Sequence, residues 1–228
     1  MHKSFGRFLE LWYPRFCMVC GQPLLEGEEH LCLHCLYRLP WREEPSFRHN
    51  DACLRLAGRL PFDKATAALA YQKESSVQTL FEAFKYHGNK RVAVSLAAMA
   101  ARRLAARGFF DDIDCLIPVP LHAAKQRLRG YNQAACIAQG LSSVTSLPVL
   151  ENVVQRAVAN ATQTRKSRWQ RQEEVYGIFS LVTGARLDGA RILLVDDVLT
   201  TGATLDACGR VLWQAGPSSL NIFALALA

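Results

Sequence analysis

The sequence predicts an α/β protein: a mostly parallel, twisted sheet covered by helices on both faces, with a small cysteine-rich module on its N-terminal side. Three observations predict it. From Ala65 onward, short apolar runs such as "DCLIPVPL", "ARILLVDD" and "LNIFALALA" alternate with segments of helical period, the pattern of strands buried on both faces. Two of those runs end in concentrated polar chemistry, at the strand ends where a parallel sheet binds its ligands. Four cysteines fall into two C-x-x-C pairs between Cys17 and Cys35, ahead of all the strands.

The 228 residues, half of them apolar, suffice for one good core and a small appendage. The expected division is 1–42 for an N-terminal helix and the cysteine module, 43–60 for a linker around "REEPSFRHND", and 61–228 for the sheet domain. The best membrane-span candidate, Val92 to Ala106, is interrupted by Arg102 and Arg103 and falls short of the roughly 20 apolar residues a span needs. The start, "MHKSFGRFLELWYPRF", lacks the long apolar core and small-residue cleavage site of a secretory signal, so cytoplasmic residence is expected. The net charge is +7, and between Pro118 and Arg171 eight basic residues face one acidic residue, an excess equal to that of the whole chain. Such concentration points to an anionic ligand or polymer.

Element by element, Phe5, Phe8, Leu9 and Trp12 mark a short amphipathic helix stopped by Pro14. "ATAALAY" reads as a strand; Val77, Leu80, Phe81 and Phe84 mark a helix face; a second helix covers Val92 to Ala106. "DCLIPVPL" is a strand ending in a Pro-Val-Pro turn, "NQAACIAQGLSSV" a helix, and Val149 the centre of a short strand ahead of the basic stretch Arg165 to Arg171. "ARILLVDD" is an apolar strand, Ala203 to Gln214 a helix closed by Gly216 and Pro217, and "LNIFALALA" the last strand.

Cys17, Cys20, Cys32 and Cys35 supply four thiolates, enough for one closed structural Zn²⁺ site. A segment so poor in apolar residues needs such a staple. Two disulfides or a redox-active C-x-x-C are the alternatives, and His30 or His34 could replace a thiolate. Cys115, Cys136 and Cys208 sit in core-like contexts, whereas Cys53 is undecided.

The strand beginning at Ile192 ends in two adjacent carboxylates, Asp196 and Asp197, which repel each other unless something neutralises them. Thr200-Thr201-Gly202-Ala203-Thr204 follows and opens a helix. Its hydroxyls and N–H groups can wrap a phosphate monoester, with Gly202 allowing close backbone approach. The carboxylates then face what the phosphate is attached to, and adjacent ribose hydroxyls would donate to both, with a shared Mg²⁺ relieving the repulsion. Helix capping alone explains one Asp at best, and neither a P-loop nor a dinucleotide fingerprint is present. Strand, acidic pair and turn resemble the phosphoribosyl pyrophosphate (PRPP) motif of type I phosphoribosyltransferases. "IPVPLHAAKQRLRGYNQ", at the second strand end, puts Lys125, Arg127 and Arg129 within reach of a polyanion such as pyrophosphate.

The paired C-x-x-C, "KYHGNK" at Lys85 to Lys90, "IPVPLHAAKQRLRGYNQA", "ATQTRKSRWQRQEEVYGIF" and "ILLVDDVLTTGATL", in that order, resemble the competence protein F (ComF) family over nearly the whole chain. The resemblance implies a type I phosphoribosyltransferase fold, an N-terminal zinc finger and a role in natural transformation or other use of imported DNA. It assigns Asp196 and Asp197 to ribose hydroxyls and Thr200, Thr201, Gly202 and Thr204 to the 5′-phosphate. His122, Lys125, Arg129, Gly130, Tyr131 and Gln133 fall in its pyrophosphate-side loop, and Thr162, Gln163 and Arg168 in a segment that would cover the site. Lys125 stands where Arg is the commoner residue in the family, which changes bidentate anion binding there.

The PRPP half of a transferase site is therefore legible, and no signature of an acceptor pocket accompanies it. Two readings follow: a PRPP-binding protein of DNA uptake that contacts single-stranded DNA and other DNA-uptake proteins, or an active phosphoribosyltransferase with an unknown acceptor. For DNA, Arg165, Lys166, Arg168 and Arg171 offer phosphate contacts, with Tyr131 and Trp169 as stacking surfaces. The same basic segment reads equally as a lid over PRPP.

Overall fold

The structure, a computed structural model, describes residues 15–86, 88–156 and 178–228. The expected helix of Phe5, Phe8, Leu9 and Trp12, and the basic segment with Thr162, Gln163, Arg165, Lys166, Arg168, Trp169 and Arg171, lie outside the described residues. Along the chain the strands are β1 (Lys64–Ala70), β2 (Cys115–Pro118), β3 (Val154–Arg156), β4 (Phe179–Leu181), β5 (Arg191–Leu199) and β6 (Ser219–Leu227). Four of them form a parallel sheet in the order β1-β6-β5-β2, and β3 and β4 form a separate antiparallel pair. The strand expected near Val149 is a single bridge to Leu116 on the outer edge of β2.

The helices are α1 (Leu33–Tyr37), α2 (Asp51–Leu56), α3 (Ser76–Tyr86), α4 (Lys90–Ala105), α5 (Ala123–Arg129), α6 (Gln133–Thr145) and α7 (Ala203–Trp213). Because successive strand residues point to opposite faces, β5 feeds two cores. Leu193 and Val195 join Phe81 and Phe84 of α3, Leu96 of α4 and Ile137 of α6 on one face. On the other, Ile192 and Leu194 join Leu56 of α2, Leu205 and Leu212 of α7 and Phe179 of β4. Strands buried on both sides have no polar face to show, which is why they read as continuous apolar runs.

The stretch 43–60, expected as a linker, lies against the sheet and contains α2. Bonds from Arg42 N–H to the Ala68 carbonyl and from Ala65 N–H to the Phe47 carbonyl run this segment along β1, covering an edge that would otherwise be unpaired. Asn50 anchors it: its amide donates to the carbonyls of Ser46 and Ala65, while its oxygen caps α2 at Cys53 N–H. Cys53, Cys115, Cys136 and Cys208 are all buried.

No helix among the described residues is long and apolar enough to cross a membrane. The closest helix contact is made by α4 and α6, where a Cβ added to Gly140 would collide with the Val94 carbonyl oxygen and come within 2.7 Å of Ala97 Cβ. Alanine ordinarily stabilises a helix interior by about 1 kcal/mol over glycine. Gly140→Ala is instead expected to destabilise by about 1–3 kcal/mol through overpacking. Chemical denaturation of both proteins checks this, and a stabilised variant would refute the close crossing.

Candidate functional site

β2 ends at Pro118, and its pairing with β5 ends at Val195, whereas β5 continues beside β6 to Leu199. The strand expected to stop at Asp197 therefore runs two residues further, and Asp196 to Leu199 keep a neighbour on one side only. After β2 the chain passes through α5 to α6 on one face of the sheet; after β5 it enters α7 on the other. Connections parting in this way open a crevice at the carboxyl edge of a parallel sheet.

Asp196 and Asp197 stand at this crevice. Asp196 Oδ1 accepts the Asp197 N–H at 2.8 Å, and Asp197 Oδ1 accepts the Val198 N–H at 2.6 Å. The pleat directs the two carboxylates to opposite sides, and Asp197 meets a cation. Lys85 Nζ, from the last turn of α3, lies 2.8 Å from Asp197 Oδ2. Burial, then the Asp197 charge, push the Asp196 carboxyl up to about 8, opposed by the Asp197 N–H and by the charges of Lys85 and Arg156. Arg156, on β3, has a buried Nε with no hydrogen-bond partner among the described residues.

The turn follows directly. Thr200, Thr201 and Thr204 are exposed and Ala203 half-buried, its N–H donating to Thr201 Oγ1 at 3.4 Å. Gly202 caps α7 with φ +79, a conformation that favours glycine. A Cβ there would lie 2.9 Å from Leu56 Cδ2 and 3.3 Å from the Arg55 carbonyl oxygen. Helix α2 thus braces the turn from beneath, and Arg55 Nη1 donates to the Thr200 carbonyl at 2.9 Å.

Beyond β2, the basic stretch expected as a loop forms the short helix α5. His122 Nδ1 caps it by accepting the Ala124 N–H at 3.2 Å, and Gly130, with φ +77, ends it. Lys125 and Arg127 are exposed. Arg129 donates to Gln133 Oε1 at 3.1 Å, and its guanidinium carbon lies 5.4 Å from the centre of the Tyr86 ring. Tyr131 requires a correction: it is 7% exposed and its hydroxyl donates to the Phe84 carbonyl, so it is a tether between loop and helix rather than a stacking surface. Sequence reading missed Arg55, Lys85 and Arg156 as site residues; only the "KYHGNK" motif signalled one of them.

In the cysteine module, the Sγ atoms of Cys17, Cys20, Cys32 and Cys35 all lie within 4.8 Å of one another, a cluster able to hold a metal ion. Met18 N–H donates to the His30 carbonyl and joins the two knuckles. The Glu28 carboxylate accepts the N–H groups of Leu25 and Leu33, each at 2.7 Å. Burial raises the Cys17 thiol, but hydrogen bonds from the backbone at Cys32, Cys20 and Val19 outweigh it and bring it down to about 6. His30 and His34 stand outside the cluster.

A "Phosphoribosyl transferase domain" family model matches residues 132–227. Competence protein F of Haemophilus influenzae is 30% identical over 217 residues, covering 93% of this chain and 85% of that protein. The chain belongs to the competence protein F family. DNA utilization protein YhgH of Salmonella typhimurium is 24% identical, covering 94% of this chain and 98% of that protein. Among solved structures, an allosteric regulatory enzyme of purine biosynthesis is similar with a TM-score of 0.41 and 22% identity over 58% of this chain; the chain spans 25% of that enzyme. The parallel sheet with helices on both faces is the type I phosphoribosyltransferase fold expected of the family.

The raised Asp196 carboxyl makes stability depend on pH in a defined direction. Between about pH 4, where an ordinary Asp ionises, and about 8 the folded chain holds a proton that the unfolded chain has lost. Stability therefore falls as pH rises through that window. Asp196→Asn removes this dependence, so its thermal stability relative to the native chain should grow from pH 4 to 8 and then level off. Melting curves across that range check it, and a constant difference would contradict the buried, repelled carboxyl.

Proposed function

We propose that the crevice at the end of β5 binds PRPP with Mg²⁺, that the cysteine cluster holds a structural Zn²⁺, and that the protein acts in the uptake or use of DNA. The observation that carries the ligand reading is the convergence, on one strand end, of two carboxylates and an exposed hydroxyl-bearing turn that opens α7. The turn's N–H groups and the Thr200, Thr201 and Thr204 hydroxyls would hold the 5′-phosphate. Asp196 and Asp197 accept from the ribose hydroxyls, and Lys125, Arg127 and Arg129 face the pyrophosphate. Magnesium, arriving with the ligand, would offset the phosphate charge.

Zinc suits the cysteine cluster. Four sulfurs at about 2.3 Å from a tetrahedral Zn²⁺ stand about 3.8 Å apart, close to the 3.6 Å between Cys20 and Cys32 Sγ. The Cys35 N–H donates to Cys32 Sγ at 3.5 Å, a contact that would orient this ligand.

The names of the relatives, competence protein F and DNA utilization protein, support the DNA role. The acidic pair is ill suited to DNA, which has no 2′-hydroxyl and whose internal 3′-oxygens are esterified. Single-stranded DNA fits α5 instead, where exposed Lys125 and Arg127 adjoin Arg129 and Tyr86, a ring 69% exposed. Active phosphoribosyl transfer is the alternative, supported by the domain match.

Calorimetry with PRPP should show saturable, magnesium-dependent binding that weakens about tenfold or more in Asp197→Asn, the loss of a charge-assisted hydrogen bond. Absence of saturable binding would overturn the PRPP reading; acceptor-dependent pyrophosphate release from a panel of bases and amines would establish the transferase instead. Fluorescently labelled single strands should bind with steep salt dependence, reduced by charge reversal at Lys125 and Arg127. Metal analysis of the reduced protein should find about one zinc ion per chain, and metal-free protein would refute the zinc site.

A further inference from the structure

We propose that Lys85 is the positioning residue of the ribose end: it acts through Asp197, aiming that carboxylate so that it accepts a sugar hydroxyl. The inference rests on the ribose reading of the crevice and adds to it a residue whose place lies 112 positions upstream of the acid it serves.

Helix α3 presents Lys85 as a fixed group. Val77, Leu80, Phe81 and Phe84, all buried, anchor the helix in the core. The Tyr131 hydroxyl donates to the Phe84 carbonyl and ties the last helical turn to the loop following α5. The ammonium leaves that turn beside the Phe81 ring, 5.2 Å from its centre, and ends 2.8 Å from Asp197 Oδ2. Both side chains are only 21% exposed, so the pair is shielded from water and salt far better than a surface pair.

The partners of Asp197 define the role. Its Oδ1 is held by the Val198 N–H and its Oδ2 by Lys85, which fixes the plane of the carboxylate. Each carboxylate oxygen has two lone-pair directions, so both retain capacity for a hydroxyl donor. Asp196 adjoins it, and two carboxylates at one site favour protonation of one of them. Lys85 sets its ammonium against Asp197. Arg156 and Cys208 lie near Asp196, whereas the ion pair with Asp197 is made by Lys85 of α3.

The experiment is a double-mutant cycle on the full chain with ribose 5-phosphate and PRPP as probes, using Lys85→Met, Lys85→Arg, Asp197→Asn and the double variant Lys85→Met/Asp197→Asn. Lys85→Met should weaken binding about tenfold, Lys85→Arg should recover most of it, and Lys85→Met should add little in the Asp197→Asn background. Additive losses would overturn the proposal, because they would mean that Lys85 touches the ligand directly; unchanged affinity in Lys85→Met would overturn it as well. A titration of ¹³C-labelled Asp carboxyls in the ligand-free protein gives an independent readout: Asp197 should take up its proton at higher pH in Lys85→Met, and an unmoved signal would overturn the proposal. If the native chain binds neither probe, the ribose reading falls while this titration still decides whether Lys85 holds Asp197. Should Lys85→Met fail to fold, the same titration on Lys85→Gln and Lys85→Arg decides it.

Discussion

Two adjacent acids on one strand must point to opposite faces of a sheet, and the rest of the site is arranged around that constraint. Asp196 follows Ile192 and Leu194 toward one core, and Asp197 follows Leu193 and Val195 toward the other. Neither could stay there unneutralised without a severe desolvation penalty. They are placed where β5 has lost β2 as a neighbour and keeps only β6, so each remains partly in contact with water, and the charges of Lys85 and Arg156 lie nearby. Lys85 comes from the layer of α3, α4 and α6, and Arg156 from the small sheet on the side of α7.

The cysteine module belongs to the same arrangement. Cys17, Leu31, Cys35 and Leu39 join the core that contains Phe81 and Phe84. Asn89, in the turn between α3 and α4, donates to the sulfur of Met18 between the first two cysteines, at 3.7 Å. A module of this size has too little apolar surface to hold its own shape, and among the described residues it is seated against these helices. It thereby backs the turn that follows the helix carrying Lys85, while Tyr131 bonds the Phe84 carbonyl of that helix. Cysteines far from the crevice in sequence thus bear on the geometry of Asp197.

The parts of this design that sequence discloses are those set by local rules. β5 and β6 are legible because strands buried on both faces can hardly be anything but apolar, and Gly202 because the turn into α7 needs a left-handed residue pressed against Leu56. The acidic pair stands out because charge at the end of such a strand needs a reason. Helix α2 is not legible: it has six residues, and its polar flanks look like linker until Asn50 is seen bonded to β1. Helix α5 escapes because Leu128 is 83% exposed and gives it no apolar face. Lys85 and Arg156 escape for a deeper reason, since a counter-ion is defined by what it meets in space. Tyr131 misleads for the same reason: among basic residues it looks like a stacking ring, and only the fold shows its hydroxyl turned inward to Phe84.

The crevice changes chemical character along its length, and this bears on how the proposed sugar phosphate and DNA could both be served. At the end of β5 the acids offer acceptor oxygens suited to hydroxyl donors; beyond β2, α5 offers exposed Lys125 and Arg127. On the proposed reading, a ligand such as PRPP is matched at both ends, because it carries free hydroxyls in its middle and phosphates at its extremities. A DNA strand carries phosphates throughout and offers the acids no free hydroxyl along its length, so on the same reading it would keep to the cationic side. A sugar phosphate occupying the crevice would also cover part of the charge on α5 that DNA would use on this reading. The two ligands are then coupled through shared electrostatics, with no change of shape required.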